Sequence, residues 1–446
     1  MNHIKKVRER HKTRLQEPSQ GKWNCRFPIQ ITQEIFKHFL TTFIVERYFR
    51  KQEIPMKGRI NRAQPFFRNL AGSCYELYQV ATPILYEEIY LSSSDALASL
   101  AKAVTKYPHL QPMVRYLHYS NSMFRYGQIK VSHLDACNIE RIHLVCGNLI
   151  SLSVQRPHDI PYSEEEIIRP TGLGAIGLEN LTHLEIDLPR GMPFCTEPIL
   201  SSGLKFPALR DLIVNVGHCK TSPEHVDTHD VREHLMQWPQ MPALARLCIK
   251  NLHVMDGCFS FPEHSNNIHV IELLGGDYSS VKTFFYRDIW RYAHSLESLV
   301  ITATDVAADE HLPFKLRHFS GLTEVCVPLL AFARWYKCKM PCDIRRFVVS
   351  GDPAKKFVEN DERLLQVVNE RLTRFLELAG RGGDYYDLEY VRLIIASQWS
   401  LRGNLFADAR RAADRAFVEL KFGYCIPEEG EFLFAFMKRT RNNHDC

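Results

Sequence analysis

The sequence lacks any apolar run that approaches the ~20 residues needed by a membrane-spanning helix. No apolar segment follows the basic residues near the N-terminus, so we expect no secretory signal. The 13 cysteines are odd in number and scattered through apolar contexts, which is typical of reduced, buried thiols. These features predict a protein of the cytoplasm, the nucleus or both, without membrane contact.

Signatures of common catalytic sites are also missing. The chain has no G-x-x-x-x-G-K-[S/T] phosphate loop, no H-E-x-x-H helix and no G-x-S-x-G nucleophile elbow. The segment GLGAIG (172–177) matches the dinucleotide pattern G-x-G-x-x-G, but a strand-like segment follows it where that site needs a helix. We therefore predict a loop at 172–177, and a non-catalytic protein without a cofactor.

Charge of one sign is scarce, since the formal net charge is only +5 over 446 residues. The surplus is concentrated near the N-terminus, at Lys5, Lys6, Arg8, Arg10, Lys12 and Arg14. Residues 1–22 therefore read as a disordered, solvated basic tail. A nucleic-acid partner is not expected, because such a surface needs its cations gathered on one face.

One short segment is rich in possible metal ligands. Cys219, His225, His229 and His234 lie close together, and His225 and His229 are four residues apart. Structural zinc sites usually combine two close ligand pairs, and only the histidine half fits that spacing. The favoured interpretation is a polar surface loop and no metal site is predicted, although the spacing leaves metal binding open.

The strongest pattern is an apolar-x-x-apolar-x-apolar unit that recurs nine times. Its middle residues are separated by 22 to 35 positions, and leucine-rich repeats have periods of ~20–29, so the longer steps require insertions. The last two apolar residues of a unit share one face of a short strand, and stacked units share one core. We therefore predict an α/β fold, an irregular leucine-rich-repeat solenoid over 111–353. The middle residues are Leu117, Leu152, Leu184, Leu212, Leu247, Ile271, Leu299, Val325 and Phe347.

Helical periodicity flanks the repeats on both sides. The N-terminal side, 23–110, is expected to be a helical domain with an insertion at 41–68, and Ser94 or Asp95 is the expected N-cap of its last helix. The C-terminal side, 354–446, is expected to be a helical cap that closes the solenoid. The predicted helices span 27–40, 69–91 and 94–106 before the repeats, and 354–380, 387–403 and 405–423 after them.

The N-terminal helices resemble an F-box. In FPIQITQEIFKHFL (27–40) the first-helix pattern is matched by Pro28, Ile31, Ile35, Phe36, Phe39 and Leu40. The segment 70–91 is similar to the later helices of fungal-type F-box proteins, through Leu70, Cys74, Tyr78, Ala81, Pro83, Leu85 and Tyr86. The order of F-box, joining segment and repeats resembles fungal-type F-box proteins with degenerate leucine-rich repeats.

That resemblance implies a non-enzymatic substrate-recognition subunit of a Skp–cullin–F-box ubiquitin ligase. The residues implied in adaptor binding are Pro28, Ile29, Ile31, Ile35, Phe36, Leu40, Leu70 and Cys74. Gln30 stands where the F-box usually has glutamate and 41–68 is a long link, so adaptor docking stays open. The alternative is a leucine-rich-repeat scaffold without a ubiquitin-ligase role.

The repeats would hold an unknown target protein on the strand side of the solenoid. Positions expected to face solvent there are His183, Glu185, Asp211, Arg246, Ser298 and Glu324. The sequence leaves open which target binds and whether its recognition needs phosphorylation.

Overall fold

A computed structural model describes about half of the chain. The described residues are 69, 72, 75–120, 138–139, 141–142, 144–155, 179–188, 205–216, 240–252, 267–276, 281, 289–302, 316–334, 340–351, 362–379, 384–395 and 405–424. The chain divides into two compact units, 1–157 with 171–181 and 158–170 with 182–446. The domain boundaries expected from the sequence stay predictions.

The first unit alternates helices with short parallel strands. Its described elements are α1 (Tyr75–Glu87), β1 (Glu88–Leu91), α2 (Ser94–Lys106), a 3-10 helix (Pro108–Met113), β2 (Tyr116–Ser120) and β3 (Ser151–Gln155). Leu117 of β2 lies in register with Ile89 of β1 and with Leu152 of β3. The pairing of Leu117 with Leu152 confirms the first two predicted repeats, whereas β1 had not been expected.

Two helix predictions in this unit can be compared with the structure. The helix predicted at 94–106 is confirmed as α2, but its N-cap is Ser93, whose hydroxyl accepts a hydrogen bond from the backbone N–H of Ala96 at 3.3 Å. Within the helix predicted over 69–91, α1 contains Pro83 and ends at Glu87, and the chain continues as strand from Glu88.

The second unit contains nine described strands, and neighbours along the chain pair in parallel. They are β4 (His183–Leu188), β5 (Asp211–Val216), β6 (Arg246–Leu252), β7 (Val270–Gly276), β8 (Ser298–Ile301), β9 (Glu324–Pro328), β10 (Arg346–Ser350), β11 (Tyr390–Ile395) and β12 (Glu419–Tyr424). One row of apolar residues runs through the paired strands: Leu184, Leu212, Leu247, Ile271, Leu299, Val325, Phe347, Val391 and Leu420. Seven of these are predicted middle residues, so the repeat pattern is confirmed as a solenoid-like stack of parallel strands.

The repeat core lies on the face that carries this row. The row residues from Leu184 to Val391 are almost completely buried. Helices α3 (Leu329–Ala333) and α4 (Glu362–Glu377) cover the row at Phe347, whose ring centroid lies 5.5 Å from that of Phe332 and 4.7 Å from that of Phe375. Burial of apolar surface between helices and strands is therefore the main source of stability here.

Helix α5 (Ala407–Ala416) packs beside α4 through small side chains. Ala409, Ala412 and Ala413 are buried, and alanines allow close approach of two helices. The N-cap residue of α5, Phe406, has no side-chain acceptor, and Asn369 of α4 supplies one: its Oδ1 accepts from the N–H of Ala409 at 3.3 Å. One residue of α4 thus satisfies an N–H group that the first turn of α5 leaves open.

The expectation of an all-helical segment after residue 353 is wrong. Within the predicted helix 387–403, residues 390–395 form strand β11, and the predicted helix 405–423 contains α5 followed by β12. The helix predicted at 354–380 is confirmed over the α4 range, and the one predicted at 405–423 is confirmed only over the α5 range. The spacing of Leu388, Val391 and Ile395 also fits a helix, but parallel pairing of Val391 with Phe347 places this segment in the sheet.

No helix within the described ranges is long and apolar enough to cross a membrane. The basic tail (1–22), the first F-box-like helix (27–40) and the insertion (41–68) lie outside the described residues. The same holds for the loop at 172–177 and for the cysteine–histidine segment at 218–234.

Candidate recognition surface

The strands β4–β12 carry a second row of side chains on the face opposite to the repeat core. Successive side chains of a strand point to opposite faces, so the residues directly before and after each core-row residue share this other face. We call it the second sheet face. The residues that follow the core row are Glu185, Ile213, Cys248, Glu272, Val300, Cys326, Val348, Arg392 and Lys421.

The part formed by β4–β7, which we call the polar half, is held by ion pairs between strands. Lys250 Nζ lies 3.0 Å from Glu185 Oε1, so the lysine side chain spans β5 to link β6 with β4. The Glu185 side chain is only 7% exposed. A carboxylate removed from water to this extent requires a charged partner, and Lys250 supplies it.

Arg246 is the centre of the second set of polar contacts. Its Nη2 donates to Glu272 Oε2 at 3.0 Å, and its Nη1 lies 3.9 Å from Asp211 Oδ1. His183 Nδ1 of β4 lies 4.0 Å from Asp211 Oδ2 of β5. These contacts therefore connect β4, β5, β6 and β7 in one row, in which histidine or arginine side chains alternate with acidic ones.

Glu272 is the most deeply buried carboxylate of the described residues, with 1% of the residue exposed. Burial raises its pKa above the usual 4.5, and the positive charge of Arg246 opposes that rise. Charge-assisted hydrogen bonds of this kind compensate only part of the desolvation free energy. The polar half is thus held together by a pair that would be costly to break.

Cys248 lies between these charges on β6, directly beside Glu272 in register. Burial raises the pKa of its thiol far above the usual value, and the nearby Glu272 carboxylate raises it further. A thiol that stays protonated is a poor nucleophile and a poor metal ligand. No group of three His, Cys, Asp or Glu side chains within the described ranges could hold a metal ion.

Strands β8–β11 form an apolar half of the same face. Val300, Cys326, Val348 and Ile394 pack into one cluster, and the half-buried Leu274 of β7 lies against it. None of the four is more than 4% exposed. The cluster is separate from the repeat core because it lies on the other side of the strands.

Polar and aromatic side chains lie beside this cluster, at other positions of β9–β12 on the same face. Arg346 Nη1 donates to Glu324 Oε1 at 2.8 Å, and Lys421 Nζ lies 5.5 Å from the centroid of the Tyr390 ring. Burial raises the pKa of Tyr390 to about 12, although Arg392 and Arg346 act in the opposite direction. This tyrosine therefore stays neutral and available for apolar and cation–π contacts.

The second sheet face combines charges held in ion pairs with buried apolar and thiol side chains. The described ion pairs are formed between its own residues, and its buried cysteine and glutamate are shielded from solvent. Stacked repeats present extended surfaces that solenoid proteins use for binding.

The structure allows only part of the predicted sites to be placed. All eight residues implied in adaptor binding lie outside the described residues: Pro28, Ile29, Ile31, Ile35, Phe36, Leu40, Leu70 and Cys74. Of the six strand positions expected to face solvent, His183, Asp211, Arg246 and Glu324 are partly exposed. The other two, Glu185 and Ser298, are buried, which corrects the expectation for them. At its buried position Glu185 is paired with Lys250, whose side chain reaches across β5.

Sequence reasoning missed Lys250 and Glu272. Both follow a core-row residue at an odd spacing, Glu272 by one position and Lys250 by three, and therefore point to the second sheet face. Reading every strand at these spacings would have found them as candidates. Their partners could not have been identified, because Lys250 meets a residue 65 positions earlier.

The sequence was compared with protein-family models and with curated proteins. No family model matches the sequence, and none of the curated proteins matches it significantly.

Proposed function

We propose that this chain is the substrate-recognition subunit of a Skp–cullin–F-box ubiquitin ligase. In this proposal an F-box-like domain within 23–110 binds the Skp-type adaptor, which connects the chain to the cullin. The partly exposed polar side chains of the second sheet face, among them His183, Asp211 and Arg246, hold a target protein together with the neighbouring turns. The chain itself is non-catalytic, and it acts in the cytoplasm, the nucleus or both.

The observation that carries the proposal is the register of the repeats behind an F-box-like segment. Seven predicted repeat residues, from Leu184 to Phe347, fall in one row of paired parallel strands. Helix α2 lies between the paired strands β1 and β2, in the segment that the resemblance assigns to the joining of F-box and repeats. The order of these three parts is more specific than any single motif within it.

The target-binding role is supported by the form of the second sheet face. Its polar half fixes charged groups at defined positions, because Arg246 and Lys250 are each bound to a buried carboxylate. Charges fixed in position discriminate between partners, because a partner that presents a like charge to them is repelled. The alternative, a repeat scaffold without adaptor binding, would use the same face and differ only at the N-terminal helices.

Co-purification with a Skp-type adaptor subunit separates the two possibilities. The wild-type chain should retain the adaptor, and the variant Ile35→Asp/Phe36→Asp should lose it. Two unpaired carboxylates in an apolar interface carry a large desolvation cost. If the wild type never retains the adaptor, the ubiquitin-ligase proposal falls and the scaffold remains.

A matched control introduces the same two charges where no adaptor contact is proposed. Leu144 and Leu378 are 49% and 47% exposed, so Leu144→Asp/Leu378→Asp leaves the new carboxylates in water. This control should retain the adaptor as the wild type does. Loss of the adaptor in both variants would show that added negative charge, and not the F-box-like helix, is responsible.

A further inference from the structure

An exposed tryptophan stands out on the turn that precedes β8. The 3-10 helix Ile289–Tyr292 buries Ile289 and Tyr292, which are three residues apart and therefore share one side. Trp290 consequently points outward and is 41% exposed. Exposure of the largest apolar side chain in a monomer is uncommon, and tryptophan is enriched among the residues that dominate binding interfaces.

The orientation of Trp290 is fixed by the next repeat. Its ring packs edge-to-face against Phe319 at 5.6 Å and against His318 at 5.4 Å between ring centroids. Phe319 is completely buried, so one of these contacts anchors the indole to the fold. A pre-oriented aromatic ring loses little conformational entropy when a partner binds.

Two arginines occupy equivalent positions in these adjacent repeats. Ser298 pairs with Glu324, a separation of 26 residues, and the same separation relates Arg291 to Arg317. His294 Nδ1 lies 3.4 Å from Ser320 Oγ, so the two turns are in direct contact. A side chain at Gly321 would meet the His294 carbonyl oxygen at 3.2 Å, which indicates close stacking of the turns.

Two arginines and two histidines are exposed around Trp290. Arg291, His294, Arg317 and His318 are all exposed, and Arg317 Nε donates to His318 Nε2 at 3.2 Å. Of the described residues of the two turns, 289–297 and 316–323, only Glu297 is acidic, and its Oε1 lies 3.3 Å from His269 Nδ1 of the preceding repeat. We call Trp290, Arg291, His294, Arg317 and His318 the aromatic–basic patch.

We propose that the aromatic–basic patch binds an acidic segment of a partner protein that also carries an apolar side chain. Arginine binds carboxylates in a bidentate geometry, and Arg291 and Arg317 can engage two acidic residues of one segment. The apolar side chain packs on the exposed indole of Trp290. This site is distinct from the second sheet face and does not depend on the ubiquitin-ligase proposal.

The size of the patch favours an acidic peptide over a nucleic acid. Affinity for nucleic acids comes mainly from many phosphate contacts, and the patch offers two arginines. Non-specific binding of single strands also uses several aromatic rings for successive bases, whereas Trp290 is the only exposed large aromatic of the two described turns.

The test is fluorescence anisotropy of the full-length chain with labelled probes. The first probe is a short glutamate-rich peptide with one central leucine, the second replaces every glutamate by glutamine, and the third is single-stranded RNA. The key variant is Arg291→Glu/Arg317→Glu, and Trp290→Ala tests the apolar contact. The matched controls are Arg210→Glu/Arg363→Glu, at two exposed arginines outside the patch, and Phe417→Ala, at an exposed aromatic residue of another turn.

The glutamate peptide should bind the wild type and both controls equally, and the glutamine peptide should not bind. Reversal of both patch arginines should weaken binding at least about tenfold, because two attractions become repulsions. A lysine-rich version of the peptide should bind the reversed variant better than the wild type. Equal affinity of wild type and reversed variant, absence of glutamate-peptide binding, or RNA binding without peptide binding would each overturn the proposal.

Discussion

The polar and apolar halves of the second sheet face have the same parallel strand register, but different contacts hold their strands together. In the polar half, Arg246 and Glu272 link neighbouring strands through a buried charge pair. In the apolar half, Val348 and its neighbours fill equivalent positions with uncharged side chains. One repeat geometry thus accepts either kind of contact, because register alone fixes which residues meet.

The two halves differ in what they contribute to stability and specificity. Apolar packing stabilises the fold in proportion to the area buried, whatever its neighbours are. A buried ion pair stabilises little on balance, because desolvation of both charges offsets their attraction, but loss of one partner is severe. The polar half should therefore be sensitive to single changes, and the apolar half should respond in a graded way.

The largest effect is expected for Arg246→Leu, which keeps the apolar stem and removes the charge. Glu272 would remain buried without its main partner, and the free energy of unfolding should fall by about 3–5 kcal/mol. Urea unfolding followed by circular dichroism measures this loss. The matched change Arg346→Leu should cost only about 1 kcal/mol, because the side chain of its partner Glu324 is 21% exposed.

The double variant Arg246→Leu/Glu272→Leu sharpens the same comparison. Replacement of both charges by apolar side chains removes the desolvation cost, so the double variant should be more stable than Arg246→Leu alone. If the double variant is less stable than Arg246→Leu, an unpaired Glu272 carries no large desolvation cost. The contrast between the two halves would then be wrong.

A smaller effect is expected for Val348→Thr in the apolar half. The substitution places a hydroxyl group of nearly the same volume in the buried cluster, and should lower the free energy of unfolding by about 1–2 kcal/mol. Val270→Thr on the half-buried edge of β7 is the matched control and should change it by less than about 0.5 kcal/mol. Equal losses in a denaturation series would show that the cluster is not shielded from water.

The smallest effect is a pH dependence that arises from Glu272. Its pKa in the folded chain is raised above 4.5, so the folded state binds this proton more tightly than the unfolded state does. Stability should therefore fall as pH rises from 4.5 through the raised pKa, relative to Glu272→Gln, which cannot titrate. Thermal unfolding of both proteins between about pH 4 and 8 measures the difference. A wild type that gains stability relative to the variant over this range would contradict the assignment.

The repeat register could be predicted from the sequence because its signal is local. Each apolar-x-x-apolar-x-apolar unit marks its own strand, and Leu212, Leu247 and Ile271 fall in adjacent register positions as predicted. Parallel stacking then follows from the need of every unit to bury the same face.

The strands after residue 353 could not be predicted in the same way. In DLEYVRLIIAS the apolar residues satisfy both a helical and a strand period, so periodicity cannot distinguish the two structures. The deciding contact is the pairing of Val391 with Phe347, a residue of the preceding repeat. Long-range pairing of this kind is absent from any local window of the sequence.

The side-chain contacts within the candidate surfaces could not be predicted from the sequence either. Lys250 reaches Glu185 across an intervening strand, and Trp290 meets His318 of the following repeat. Such neighbours are known only once the repeats are aligned, because the loops between strands vary in length. Exposure of Glu185 and Trp290 was accordingly unpredictable, and the structure buries the first and exposes the second.

The most direct test of the proposed function is the mass of the purified chain mixed with a purified Skp-type adaptor. Size-exclusion chromatography with light scattering measures whether the two proteins form a complex of defined stoichiometry. The proposal predicts a one-to-one complex for the wild type and for Leu144→Asp/Leu378→Asp, and separate species for Ile35→Asp/Phe36→Asp. A wild-type chain that elutes at its own mass with the adaptor in excess would contradict the ubiquitin-ligase role.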